Sequence, residues 1–148
     1  MEIAGDYRFA APRHVVWEAM LDPAALKASM PGCERMDPNG TDSYDITIKV
    51  GIAAIKGTYS GTVKVTDQTP EDSYRLVVSG AGKPGAVQGD AVMNLSDDGN
   101  GTLVKYTGDV RAQGAIARLG SRLIAGSAKL MIGQFMKGME KQVAARTT

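Results

Sequence analysis

The chain has 148 residues, 43% hydrophobic and 22% charged, with a formal net charge of +1. That length encloses a core without staples and reads as one globular domain over residues 1–148. No apolar stretch approaches the roughly 18 residues that cross a bilayer; the acidic N-terminus, Met1 to Asp6, is no secretory signal; a lone cysteine, Cys33, excludes a disulfide framework; and the near-neutral charge argues against a nucleic-acid partner.

The first element is a half-buried strand, with Ile3, Gly5, Tyr7 and Phe9 alternating against Glu2, Asp6 and Arg8. Ala11-Pro12 stops it, and Val15, Val16, Trp17, Met20 and Leu21 then recur at helical spacing. Asp22 is an N-cap for a second short helix, with Pro23 just inside it. Pro31-Gly32 ends that helix. A short strand follows from Cys33 to Asp37, and Pro38-Asn39-Gly40 turns the chain. Alternation then marks strands around residues 44–50, 58–65, 73–79, 87–95 and 104–111, and Asp97 to Gly101 is a hairpin turn. Short turns between consecutive strands give an antiparallel meander with one apolar face.

Residues 115–145 are the one long element left to cover that face. At roughly 100° per residue, Ile116, Leu119, Leu123, Ser127, Leu130 and Met131 share a face, with Arg118, Arg122 and Lys129 opposite. Beyond residue 132 the stripe rotates: Ile132, Phe135, Met136, Met139 and Val143 fall nearer the outer side. The expected fold class is α+β, a curved antiparallel sheet wrapped around a long C-terminal helix, with two short helices after the first strand.

The motifs carry a resemblance. Phe9 to Trp17, then Leu21-Asp22-Pro23, Leu26 and Met30-Pro31-Gly32-Cys33, is similar to the N-terminal signature of the START-like (SRPBCC) superfamily. Lys49 to Gly61, and Leu119 to Ile124 with Ala128-Lys129 and Phe135, resemble one branch, the carbon monoxide dehydrogenase G-subunit family. The resemblance implies the helix-grip fold and a non-catalytic protein with an apolar cavity between sheet and helix. It implies association with molybdenum-containing carbon monoxide dehydrogenases and related oxidoreductases, tethering the enzyme to the membrane or carrying a quinone between the two. Longer members carry a C-terminal extension that can anchor. The 148 residues here do not include one, so membrane contact is expected to be peripheral.

Few residues suggest catalysis. With one histidine, His14, and one cysteine, no transition-metal cluster is available, and no cofactor is expected. Cys33 reads as a small packed hydrophobe and His14 as a surface residue. Asp45, Asp90 and Asp109 fall on the polar faces of their strands. Gly80 to Gly85 has no Ser or Thr after Lys83 and no following helix, so it is a turn and lip of the sheet rather than a phosphate loop.

The expected ligand wall combines Ile46, Ile48, Val63, Leu76, Val78, Met93 and Tyr106 of the sheet with Leu119, Leu123, Ser127, Leu130 and Met131 of the helix. Small inward residues (Gly61, Gly89, Ala91, Gly108, Gly120) either leave room for a ligand or let the helix approach closely. Tyr59, Tyr106 or Ser127 offers a hydrogen bond. Ile52 and Ile55 beside Lys56 form either a tucked-in bulge or an apolar lip touching a membrane or partner. Residues 1–110 carry 10 basic and 15 acidic side chains, whereas residues 111–148 carry 7 and 1. The basic ridge of Arg118, Arg122 and Lys129 is therefore either a solvated helix face or a contact with an anionic membrane or acidic partner. The turned stripe is equally a homodimer contact. The expected protein is a cytoplasmic carrier of a quinone or other isoprenoid lipid, working at the inner face of the cell membrane for an oxidoreductase complex. The alternatives are a START-like cyclase or hydrolase on a hydrophobic substrate, and a recruitment protein with a solid core.

Overall fold

The computed structural model describes residues 1–147. Strand β1 (Glu2–Phe9) leads into helices α1 (Arg13–Leu21) and α2 (Pro23–Ser29). A meander follows: β2 (Cys33–Pro38), β3 (Ser43–Val50), β4 (Gly57–Thr69), β5 (Ser73–Gly82), β6 (Gly85–Asp98) and β7 (Gly101–Gln113). Helix α3 (Ser121–Arg146) closes the chain. The strands form one antiparallel sheet in the order β1-β7-β6-β5-β4-β3-β2. Its two ends are sequence neighbours bridged by α1 and α2. This is the expected sheet wrapped around a C-terminal helix.

The local reasons follow from the residues. Asp22 caps α2, its Oδ1 accepting from the Ala24 amide at 3.0 Å, with Pro23 in the first turn, where its missing N–H costs nothing. Gly99 takes φ 61° in the β6–β7 hairpin, a conformation glycine adopts without a Cβ penalty. At the other edge of the pairing, the Met1 ammonium reaches Asp109 Oδ1 at 2.8 Å and seats β1 against β7.

The long C-terminal element differs from the expected single helix. A 3-10 turn over Ala115–Leu119 comes first, bracketed by Gly114 (φ 84°) and Gly120 (φ 88°). Both glycines sit where a side chain would be strained, so they reset the chain direction. The phase of α3 is therefore set from Ser121. Ile124, Ser127, Phe135, Met136, Met139 and Val143 are buried, while Leu123 and Leu130 are 51% and 52% exposed. Of the expected face, Leu123 and Leu130 thus point outward, whereas Ile116 and Ser127 are buried and Met131 is half-buried. As expected, the stripe turns along the helix: Ser127 and Met136, both buried, are nine residues or roughly 180° apart. Phe135, Met136, Met139 and Val143 are nevertheless buried, because α1, α2 and β1 cover that side of α3.

The core joins this stripe to Phe9, Val16, Trp17, Met20 and Leu26 and to the concave face of the sheet. Trp17 meets Tyr74 edge-on, with ring centroids 5.7 Å apart. The Tyr74 hydroxyl is buried without a hydrogen-bond partner among the described residues, and burial pushes its pKa well above the ordinary tyrosine value.

Two glycines of α3 test the packing in opposite directions. A Cβ on Gly138 would stand 2.9 Å from the Ser29 Cα of α2, whereas one on Gly126 meets nothing within 4 Å. Gly138→Ala should cost about 1–3 kcal/mol by crowding α2. Gly126→Ala should add up to about 1 kcal/mol through helix propensity. Denaturant unfolding of the two variants measures both. Tyr74→Phe, which removes the unpartnered hydroxyl and keeps the ring, should leave stability unchanged or raise it by about 1–3 kcal/mol in the same assay.

Candidate functional site: an apolar cavity under the long helix

A cavity of about 250 Å³ lies between the concave face and the N-terminal half of α3. The sheet supplies Ile46, Ile48, Val63, Leu76, Val78, Ala91 and Met93 to its wall. Period-two alternation puts them there. Leu76, Val78, Ala91 and Met93 are inward on β5 and β6, where the register pairs Leu76 with Ala91 and Val78 with Gly89. From α3 come Ile124, Ala128, Met131, Ile132 and Phe135. The α2–β2 connection adds Met30 and Pro31.

One end of the cavity is built from a second apolar cluster of Val50, Ile55, Tyr59 and Ile116. Ile55 closes a 3-10 turn, Ala53–Ile55, and is 9% exposed. It is therefore tucked in, and of the expected lip only Ile52, half-buried, and Lys56, exposed, reach the surface. The Tyr59 hydroxyl fixes this turn by donating to the Ile55 carbonyl at 2.7 Å. Burial holds the Tyr59 pKa above its ordinary value, so the phenol stays a donor. The β5–β6 turn is pinned in turn, because the Ile116 amide donates to the Pro84 carbonyl at 2.7 Å.

The expected ligand residues separate into groups. Ile46, Ile48, Val63, Leu76, Val78, Met93 and Met131 border the cavity. Tyr106 is buried but packs across Gly5 instead, where a Cβ would lie 2.5 Å from its hydroxyl. Ser127 is buried off the wall, and Leu119 is half-buried against both apolar clusters. Leu123 and Leu130 face outward, as described above. Sequence reasoning missed Ile124, Ala128 and Phe135 as wall residues. Their 4- and 7-residue spacing was the available signal, once Gly120 was taken as a break.

The small residues split as well. Gly89 and Ala91 border the cavity, and a Cβ on Gly89 meets nothing within 4 Å. A Cβ on Gly61 or Gly108 would instead lie 1.8 Å from the Ser79 carbonyl oxygen or 2.4 Å from that of Asp90. Those two glycines permit close backbone approach and open no space.

The wall offers little chemistry. Asp90 borders the cavity, but its register places the carboxylate outward, and Oδ2 accepts from Arg75 at 3.2 Å. His14 is exposed on α1, and Cys33 Sγ donates to the Arg35 carbonyl at 3.3 Å. Among the described residues no group of three or more His, Cys, Asp or Glu side chains is placed to hold a metal ion.

Charge is sorted around this end. The segments 46–66, 73–89 and 110–139 contain no acid. Arg8, Arg13, Arg35, Arg75, Arg111 and Arg146 are ion-paired. Among the described residues Arg118 and Arg122 have no such partner, nor do Lys56, Lys83 and Lys129, and all five cations lie at the surface. The exposed Leu123 and Leu130 directly follow Arg122 and Lys129 in the chain. No helix among the described residues is long and apolar enough to cross a membrane.

A sheet gripping a helix over an apolar cavity defines a START-like protein. The chain aligns over 97% of its length with a START superfamily protein from Mycobacterium smegmatis, covering 97% of that chain, with a TM-score of 0.73 and 10% identity. TTHA0849 from Thermus thermophilus has a TM-score of 0.77 at 16% identity, with 100% of both chains covered. A conserved protein from Geobacillus kaustophilus is more similar: TM-score 0.93, 33% identity, 98% of this chain and 96% of that one. Comparison with curated proteins gives no match. The model of the carbon monoxide dehydrogenase G-subunit (CoxG) family matches residues 5–144, and the chain belongs to that family.

The register of α3 over the cavity can be measured. Ile124→Ala should cost about 2–5 kcal/mol, since its side chain is buried against the sheet. Leu123→Ala, one position away, should stay within about 0.5 kcal/mol. Thermal or urea unfolding separates the two.

Proposed function

We propose that this protein is a non-catalytic carrier of an apolar ligand, a quinone or other isoprenoid lipid, serving a membrane-associated oxidoreductase such as a molybdenum carbon monoxide dehydrogenase. The cavity under α3 carries this reading. Its wall is apolar apart from a few polar groups already engaged, which suits a hydrocarbon ligand held by burial rather than by directed bonds. A hollow of this kind favours a carrier over a recruitment protein with a solid core. The wall's one carboxylate points outward, which gives the cyclase or hydrolase reading no support. Membership of the CoxG family supports the link to the oxidoreductase.

The unpaired cations around the cavity support a peripheral contact with an anionic membrane on the cytoplasmic side. Arg118, Arg122 and Lys129 supply charge, and exposed Leu123 and Leu130 supply apolar area. A homodimer through the same face is the competing use of these residues.

Organic extraction of the purified protein, read by ultraviolet and mass spectrometry, should yield an isoprenoid compound. Repeated empty extracts, together with no uptake of added menaquinone analogues, would sink the carrier reading. Replacing Arg118, Arg122 and Lys129 with alanine should weaken partition onto phosphatidylglycerol-containing vesicles by about fivefold per residue, and high salt should do the same to the unmodified protein. Salt-independent partition, or a dimer of unmodified protein that alanine at Leu123 and Leu130 dissolves, would point away from the membrane.

A further inference from the structure

The ligand's orientation is written in where the polar groups stand. Inside the cavity every polar side chain on the wall is engaged. The Tyr59 hydroxyl donates to the Ile55 carbonyl. The Ser79 hydroxyl shares a 3.0 Å hydrogen bond with Thr62 Oγ1. Asp90 is held by Arg75. A carbonyl or carboxylate carried to the bottom would leave its water partners and find none, which loses roughly 10- to 100-fold in affinity per unmatched group.

A second hollow, of about 320 Å³, adjoins the cavity and shares Pro31, Val50 and Met131 with it. Its remaining border is more polar and includes Gly32, Lys49, Gly51 and Gln134. Lys49 and Gln134 are exposed, and neither side chain has a hydrogen-bond or ion-pair partner among the described residues. A donor pair free of internal partners therefore lies beside an apolar well that has no free donor.

We infer that the ligand is a single-chain amphiphile bound hydrocarbon-end first, its hydrogen-bond-accepting head, a carbonyl or a carboxylate, resting in the hollow at Lys49 and Gln134. This rests on the carrier reading above and adds to it a direction and a head-group subsite. The well of about 250 Å³ holds about eight groups the size of a water molecule, at about 30 Å³ each. That is the bulk of about two isoprene units or a medium-length acyl chain. Affinity should therefore climb with chain length and then level off.

Calorimetry on the full chain tests this with named probes: 2-methyl-1,4-naphthoquinone without a tail, the same ring bearing one, two and three isoprene units, decanoic acid and its methyl ester. The first two isoprene units should raise affinity by at least about tenfold in total, and the third should add little. Gln134→Ala combined with Lys49→Ala should weaken the headed ligands by about fivefold, with thermal stability unchanged because both side chains are exposed. Lys49→Ala alone should weaken decanoic acid more than its ester. Tighter binding of the tailed quinone than of decanoic acid assigns the head as a carbonyl, and the reverse assigns a carboxylate; both sustain the orientation. A tailless ring binding as tightly as the two-unit compound, or a double variant with every affinity unchanged, would overturn the orientation and leave the carrier reading standing. If no probe binds, the carrier reading falls and this inference falls with it.

Discussion

A seven-stranded sheet with one apolar face has to be covered, and in this chain a single helix does most of the covering. Burial of apolar area is the dominant favourable term in folding, so the phase of α3 decides what the molecule is. Toward its C-terminal end, Phe135, Met136, Met139 and Val143 meet Phe9, Val16, Met20 and Leu26, and the interface is filled. Toward its N-terminal end the helix passes over Gly89 and Ala91, where the sheet supplies too little bulk to meet it. The filled core and the cavity thus lie under the two ends of one helix. They differ in partner as well as in side-chain volume, with α1, α2 and β1 beneath one end and the concave sheet beneath the other.

Much of this was legible in the sequence. Alternation placed the strands, because inward and outward positions on a sheet of this kind differ sharply in polarity. The Asp22-Pro23 start of α2 and the Gly99 turn followed from local chemistry. The phase of α3 did not, because Gly114 and Gly120 have no side chain to mark a face. Their positive φ angles insert a separate 3-10 turn that periodicity counts as helix. Counting that turn as helix sent Leu123 and Leu130 to the wrong side, and the rotated stripe of Phe135, Met136, Met139 and Val143 had no visible partner until α1 and α2 were seen to cover it. Tyr106 and Gly61 show a different limit. Each is inward by alternation, but whether an inward position borders a void depends on how closely neighbouring atoms approach, and that is a property of the twisted sheet as a whole.

The charge pattern is subtler than the total of +1 suggests. Most arginines are matched to carboxylates, as Arg13 is to Asp72 and Asp97 and Arg75 is to Asp67 and Asp90. These pairs are largely exposed and contribute little stability each. Their larger effect is to cancel field over the acidic end of the sheet. Arg118 and Arg122 are the two arginines outside this pattern, and both stand in the acid-free stretch 110–139 that leads into and forms most of α3.

The attachments of α3 are unevenly distributed along its length. Arg146 is ion-paired with Asp22, Gly138 lies against Ser29, and Met139 Sδ accepts from the Ser29 hydroxyl at 3.9 Å. The opposite end begins at a glycine hinge and rests on a partly empty floor. Local stability follows contact density, so the end of α3 beside α2 is the more firmly built of the two. The bonds and close approaches that tie α3 to its neighbouring helix are thus gathered at its C-terminal end, and the side chains over the cavity have fewer atoms beneath them to meet.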